Sequence, residues 1–140
     1  MPQLADKIFN KIEAFQLQAE QLIENEQFSA AIKEYQKAWN TLPEPKQLWD
    51  AALWIKVGQA ECLLATESYA QAKKILLEAI LCSGAVSNPL VHLLLGISYF
   101  ESNELQSAQT ELQIAYDLEG IDIFQDDDQK YKQFLFNKPQ

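Results

Sequence analysis

The sequence predicts an all-α fold built from three helix–turn–helix repeats and a C-terminal capping helix. Two observations carry that expectation. Apolar residues recur at three- and four-residue steps over successive stretches of 11 to 23 residues, the mark of one buried helical face. Helix breakers and polar turns (Asn25 to Gln27, Pro43 and Pro45, Thr66 to Ser68, Gly84, Pro89, Gly120) fall between those stretches and not inside them. The 140 residues suit a single domain spanning 1–140, and 48% hydrophobic with 22% charged residues is an ordinary globular composition.

Residues 3–25 carry Leu4, Ile8, Ile12, Phe15, Ala19, Leu22 and Ile23 on one stripe, with no internal Gly or Pro. A polar turn at Asn25, Glu26 and Gln27 leads to a second helix over 28–40, with Ala31, Ile32, Tyr35, Ala38 and Trp39 inward. Pro43 and Pro45 end it, because proline lacks the N–H donor and pushes the preceding residue out of helix. The third helix is expected over 46–65, carrying Trp49, Ala52, Leu53, Lys56, Ala60, Leu63 and Leu64. After Thr66, Glu67 and Ser68, a fourth runs over 69–81 with Ala72, Ile75, Leu76, Ala79 and Ile80 inward. Ser83 and Gly84 stop it, and Ser87, Asn88 and Pro89 start the fifth with proline at the first helical position. Residues 89–119 hold helices five and six, meeting at Gly96 and Ala108. Asp126, Asp127 and Asp128 then read as the N-terminal cap of a short last helix that docks Tyr131, Phe134 and Leu135.

The repeat shows in the spacing. From the anchors Ala19, Ala60 and Gly96, the residues nine on are Phe28, Tyr69 and Leu105, and those twelve on are Ala31, Ala72 and Ala108. Sixteen on stand Tyr35, Leu76 and Leu112; nineteen on stand Ala38, Ala79 and Ala115. Small residues let two helices approach, and the large ones fill the space between pairs. This pattern resembles the tetratricopeptide repeat, a helix–turn–helix unit of about 34 residues. Leu95, Gly96, Tyr99, Ala108, Leu112 and Ala115 stand at the family's signature places. The resemblance implies a short right-handed superhelix with repeats at about 12–45, 53–86 and 89–120 and a capping segment at 121–140. The anchors stand 41 (19 to 60) and 36 (60 to 96) residues apart, and the first excess is close to two helical turns that extend helix three at its start. Glu26, Glu67 and Asn103 replace the family's turn glycine.

Composition narrows the functions. A net charge of −9 repels nucleic-acid phosphates and anionic membrane surfaces, so neither is an expected partner. Cys62, Cys82 and His92 are too few for a structural zinc site; two reduced, packed thiols point to the cytoplasm. No signal-peptide core or membrane-length apolar run is present. His92 lacks a Ser or Cys partner at a catalytic spacing and suits a core or edge position better than catalysis. The three aspartates lack the glycine and distal glutamate of a calcium loop. No catalytic residue, cofactor or metal site is expected, and the chain reads as no enzyme.

In arrays of this family the first helix of each repeat lines the concave, partner-binding face. Carried over residue by residue, that groove presents Glu13, Gln16, Glu20, Ile23 and Glu24 from the first repeat. The second presents Trp54, Val57, Glu61 and Leu64; the third presents Leu90, Leu93, Ile97, Phe100 and Glu101. One end is then acidic and the other apolar, unless Trp54, Leu90 and Leu93 instead pack beneath neighbouring helices. The carboxylate clamp of the chaperone-tail adaptors is missing, since its places hold Gln16, Glu20, Gly58, Leu90 and Leu94. The implied function is to bind and hold a basic or apolar protein segment. Residues 82–93 and 123–131 are similar to small bacterial tetratricopeptide proteins, some of them toxin-immunity proteins. A secretion chaperone or a generic scaffold is the alternative, and the oligomeric state stays open.

Overall fold

A computed structural model describes residues 4–137, whose regular structure is all helical, with no strand among them. Seven α-helices follow in order: α1 (Asp6–Glu24), α2 (Phe28–Thr41), α3 (Asp50–Ala65), α4 (Tyr69–Ala79), α5 (Pro89–Glu101), α6 (Leu105–Glu119) and α7 (Gln129–Phe136). Short 3-10 turns cover Lys46–Leu48, Ile121–Ile123 and Asp126–Asp128. Gln3 and the last three residues of the expected capping segment lie outside the described residues.

Consecutive helices pack as pairs, α1 with α2, α3 with α4 and α5 with α6. The second helix of each of the first two pairs also packs on the first helix of the next. α1, α3 and α5 touch in that order and make one layer of the molecule. The small residues act where the spacing puts them: Ala19, Ala31, Ala38, Ala60, Ala72, Ala79, Ala108 and Ala115 are all fully buried. At Gly96 an added Cβ would stand 2.6 Å from the Leu112 side chain, so glycine sets how closely α5 and α6 approach.

The three turns within the pairs have one geometry. Glu26, Glu67 and Asn103 adopt φ of 58°, 58° and 62°. Each is followed by a residue whose N–H reaches back five positions: Gln27 to Leu22, Ser68 to Leu63, Glu104 to Tyr99. Such left-handed residues close a helix by satisfying its last carbonyls, a task glycine performs with less strain.

The third helix is shorter than expected. Its first four expected residues form a 3-10 turn and an extended Trp49 (φ −87°, ψ 139°), so the seven extra residues make a linker and not two helical turns. The cause is a set of side-chain bonds that reach four to seven residues back. Lys46 Nζ donates to the carbonyls of Leu42 (2.6 Å) and Trp39 (3.0 Å), and Trp49 Nε1 donates to Pro43 O (2.9 Å). The carbonyls of Leu42 and Pro43, beyond the end of α2, are satisfied this way, and Trp39 O, which already accepts from Leu42 N–H, gains a second donor. The fourth helix also ends early, at Ala79. α5 starts as expected, with Pro89 in its first turn and the Asn88 side chain accepting from Leu90 N–H at 2.9 Å.

One continuous core runs from Ile12 to Leu135. α5 is buried on all sides over residues 91–98, which explains why its apolar residues do not form a single stripe. His92, Lys56 and Ser98 are paired inside, while Gln59 Oε1 is buried without a partner among the described residues. His92 places Nδ1 2.8 Å from a Glu111 carboxylate oxygen and Nε2 2.8 Å from Val86 O. Lys56, only 8% exposed, meets Glu78 at 2.9 Å and lies 4.1 Å from the Trp39 ring centroid. Cys62 and Cys82 are both buried and unpaired.

Candidate functional site

The layer of α1, α3 and α5 brings together part of the expected groove. Gln16 and Glu20 of α1 face Trp54, Val57 and Glu61 of α3 and Leu90 of α5 across a cleft of ≈ 280 Å³. Trp54 is 50% exposed although it is the largest apolar side chain there. A second hollow of ≈ 390 Å³ continues from Glu61 past Leu64 and Ile97 toward α7. Glu61 borders both, so the two are continuous along α3.

The remaining expected residues lie elsewhere. Glu13 and Glu24 are exposed on α1 outside both hollows, and Ile23 packs against the core. Leu93 is buried, and Val57 and Ile97 keep only a small exposed margin in the floor. Phe100 and Glu101 are taken by the chain's own last helix. Phe100 meets the rings of Tyr131 and Phe134 edge-on, at centroid distances of 5.4 and 5.0 Å. Glu101 accepts from Lys130 Nζ at 2.8 Å and from the Tyr131 hydroxyl at 3.1 Å. Burial and this carboxylate together hold the Tyr131 hydroxyl far above the ordinary tyrosine range. α7 thus covers the end of the groove that the sequence assigns to the third repeat.

Asp127 and Asp128 border the second hollow beside Tyr131. Their role as a side-chain cap of α7 is corrected: no side-chain cap bond forms there, and the Asp128 carboxylate accepts instead from Gln125 N–H at 3.1 Å. Acidic and apolar residues consequently alternate along the groove, where an acidic end and an apolar end were expected.

Tyr35 is the residue that helical periodicity hides. It sits on α2, is 6% exposed, and still reaches the first cleft. Gly58 makes this possible, because a Cβ there would stand 2.3 Å from Tyr35 Cζ. Burial first, then Cys62, Glu20 and Glu61, push the Tyr35 hydroxyl up to about 12. Desolvation by the cleft also raises Glu61 above the usual glutamate range. Every basic residue of the chain is a lysine, and none lines either hollow.

No protein-family model matches the chain, and no curated protein matches it. No helix among the described residues is long and apolar enough to cross a membrane. Chemically, the groove offers uncompensated carboxylates beside an exposed indole, suited to holding a cationic and apolar ligand.

Proposed function

We propose that this chain is a non-enzymatic protein-binding module of tetratricopeptide-like build, whose concave groove holds a partner segment carrying basic and apolar side chains. The observation that carries the proposal is the half-exposed Trp54 set beside Glu20 and Glu61 in a cleft without a lysine. Carboxylates without an internal cation attract a basic partner, and an exposed indole is a common interface anchor. A chain that occupies its partner in this way neutralises or protects it. Holding a basic toxin domain, as an immunity protein does, is the first form we propose. The apolar side chains Leu64, Leu90 and Ile97 along the groove favour a second form, a chaperone that shields an apolar segment of an export substrate.

Selection of a displayed random-peptide library against the full chain tests this. Enriched sequences are expected to place Lys or Arg beside an aromatic or aliphatic residue. Trp54→Ser is expected to weaken their binding about tenfold or more, with helical circular dichroism unchanged. Enrichment of acidic sequences, or binding indifferent to Trp54, refutes the proposal. A partner found through such a motif that is itself toxic, with toxicity relieved by this chain, selects neutralisation over chaperoning.

A further inference from the structure

We propose that the cleft between α1 and α3 receives one arginine side chain of the partner, an inference that rests on the groove being the partner-binding face. Its walls are built for that group. Trp54, Gly58 and Glu61 follow each other at four- and three-residue steps and share one face of α3; Gln16 and Glu20 are one turn apart on α1. Tyr35 enters from α2 through the space that Gly58 leaves open. Its hydroxyl belongs to a side chain more than nine-tenths buried, borders the cleft, and has no hydrogen-bond partner among the described residues. The buried ring holds this hydroxyl open to the cleft with no such partner, free to meet an incoming donor.

Guanidinium matches the set better than any other side-chain group. Its five N–H donors lie in one plane, able to fork onto carboxylates, reach a phenolic oxygen and stack on an indole. An ammonium group has three donors and no plane to stack. The volume of ≈ 280 Å³ falls just below the roughly 300–1,000 Å³ typical of small-molecule sites, which favours a side chain over a cofactor. Glu20 and Glu61 supply two acids in a cleft lined by no lysine, so the cation has to come from outside.

The full chain, labelled with nitrogen-15, is titrated with blocked tripeptides Ala-X-Ala in which X is arginine, its neutral isostere citrulline, or lysine. Arginine is expected to shift the Trp54 indole and Gly58 amide signals saturably, with citrulline about tenfold weaker or more. Lysine is expected to bind more weakly than arginine. Tyr35→Phe should weaken arginine binding about threefold or more while leaving Tm within about 2 °C, because the lost hydroxyl has no partner in the fold. Glu20→Gln with Glu61→Gln should abolish it. Equal binding of arginine and citrulline, lysine as tight as arginine, shifts away from Trp54 and Gly58, or no saturation overturns the arginine site. Should the peptide library yield Trp54-dependent binders without basic residues, the site fails and the binding module stands; should nothing bind the groove, both fall.

Discussion

Glu61 shows how one residue's surroundings set a measurable pH response. Its carboxylate has access to solvent, yet the cleft walls desolvate it and raise its pKa above 4.5. The folded state then binds the Glu61 proton more tightly than the unfolded chain does, so the charged form costs stability at neutral pH. Stability recovers as pH falls through the raised pKa toward the unfolded value. Glu61→Gln is accordingly expected to raise Tm at pH 7, and its advantage over wild type should shrink to nothing by about pH 3, below the ordinary glutamate range. Thermal melts of both proteins across that range check it; an advantage constant with pH would show that desolvation of the charge is not the cause. Lys56 illustrates the opposite solution, a buried cation matched by Glu78 and by the Trp39 ring.

At the scale of elements, the turns within the helix pairs carry strain that the rest of the fold holds in place. Glu26 and Glu67 occupy the left-handed region at φ 58°, where a side chain costs about 1–2 kcal/mol. Glycine removes that clash but adds entropy to the unfolded chain, leaving a net gain of about 1 kcal/mol. Glu67→Gly is therefore expected to raise Tm by about 3–5 °C. Asn103→Gly should gain less, since asparagine tolerates this conformation better than glutamate. Calorimetry of the single variants decides; a loss of stability at Glu67→Gly would mean that its side chain contributes more than the backbone strain. The equality of the three turns also marks helix pairing as a property of each local stretch.

The whole molecule is a short stack, and the protection of its two thiols should follow their place in it. Cys62 lies inside α3, between the first and third helix pairs, and burial with the nearby Glu61 pushes its thiol up to about 11. Cys82 is buried in the connection between α4 and α5, where burial raises its thiol while Lys56 opposes the shift. A thiol that is both buried and protonated reacts only when the structure opens. Both are expected to react with a disulfide reagent at pH 8 about a hundredfold or more slower than in denaturant, with Cys82 first. Mass spectrometry of partly labelled protein reads the order, and Cys62 labelling ahead of Cys82 would contradict it.

The helices and their boundaries were largely legible in the sequence, because each depends on neighbours within a few residues. Periodicity placed α1, α2, α4, α5 and α6; the start of α5 was readable at Asn88 and Pro89; and the turn residues Glu26, Glu67 and Asn103 stood out by their spacing. The site was legible only in part. Gln16, Glu20, Trp54, Glu61 and Leu90 do converge, but a helical stripe states which way a face turns, not what comes to cover it. Side-chain bonds from Lys46 and Trp49 to carbonyls four to seven residues back break the expected start of α3, a local competition that apolar spacing does not display. Tertiary contacts decided that α7 closes over Phe100 and Glu101, and that Tyr35 passes above Gly58 into the cleft. Local hydrogen bonding and apolar spacing determine the helices, while the return of distant chain determines which of their faces stay open.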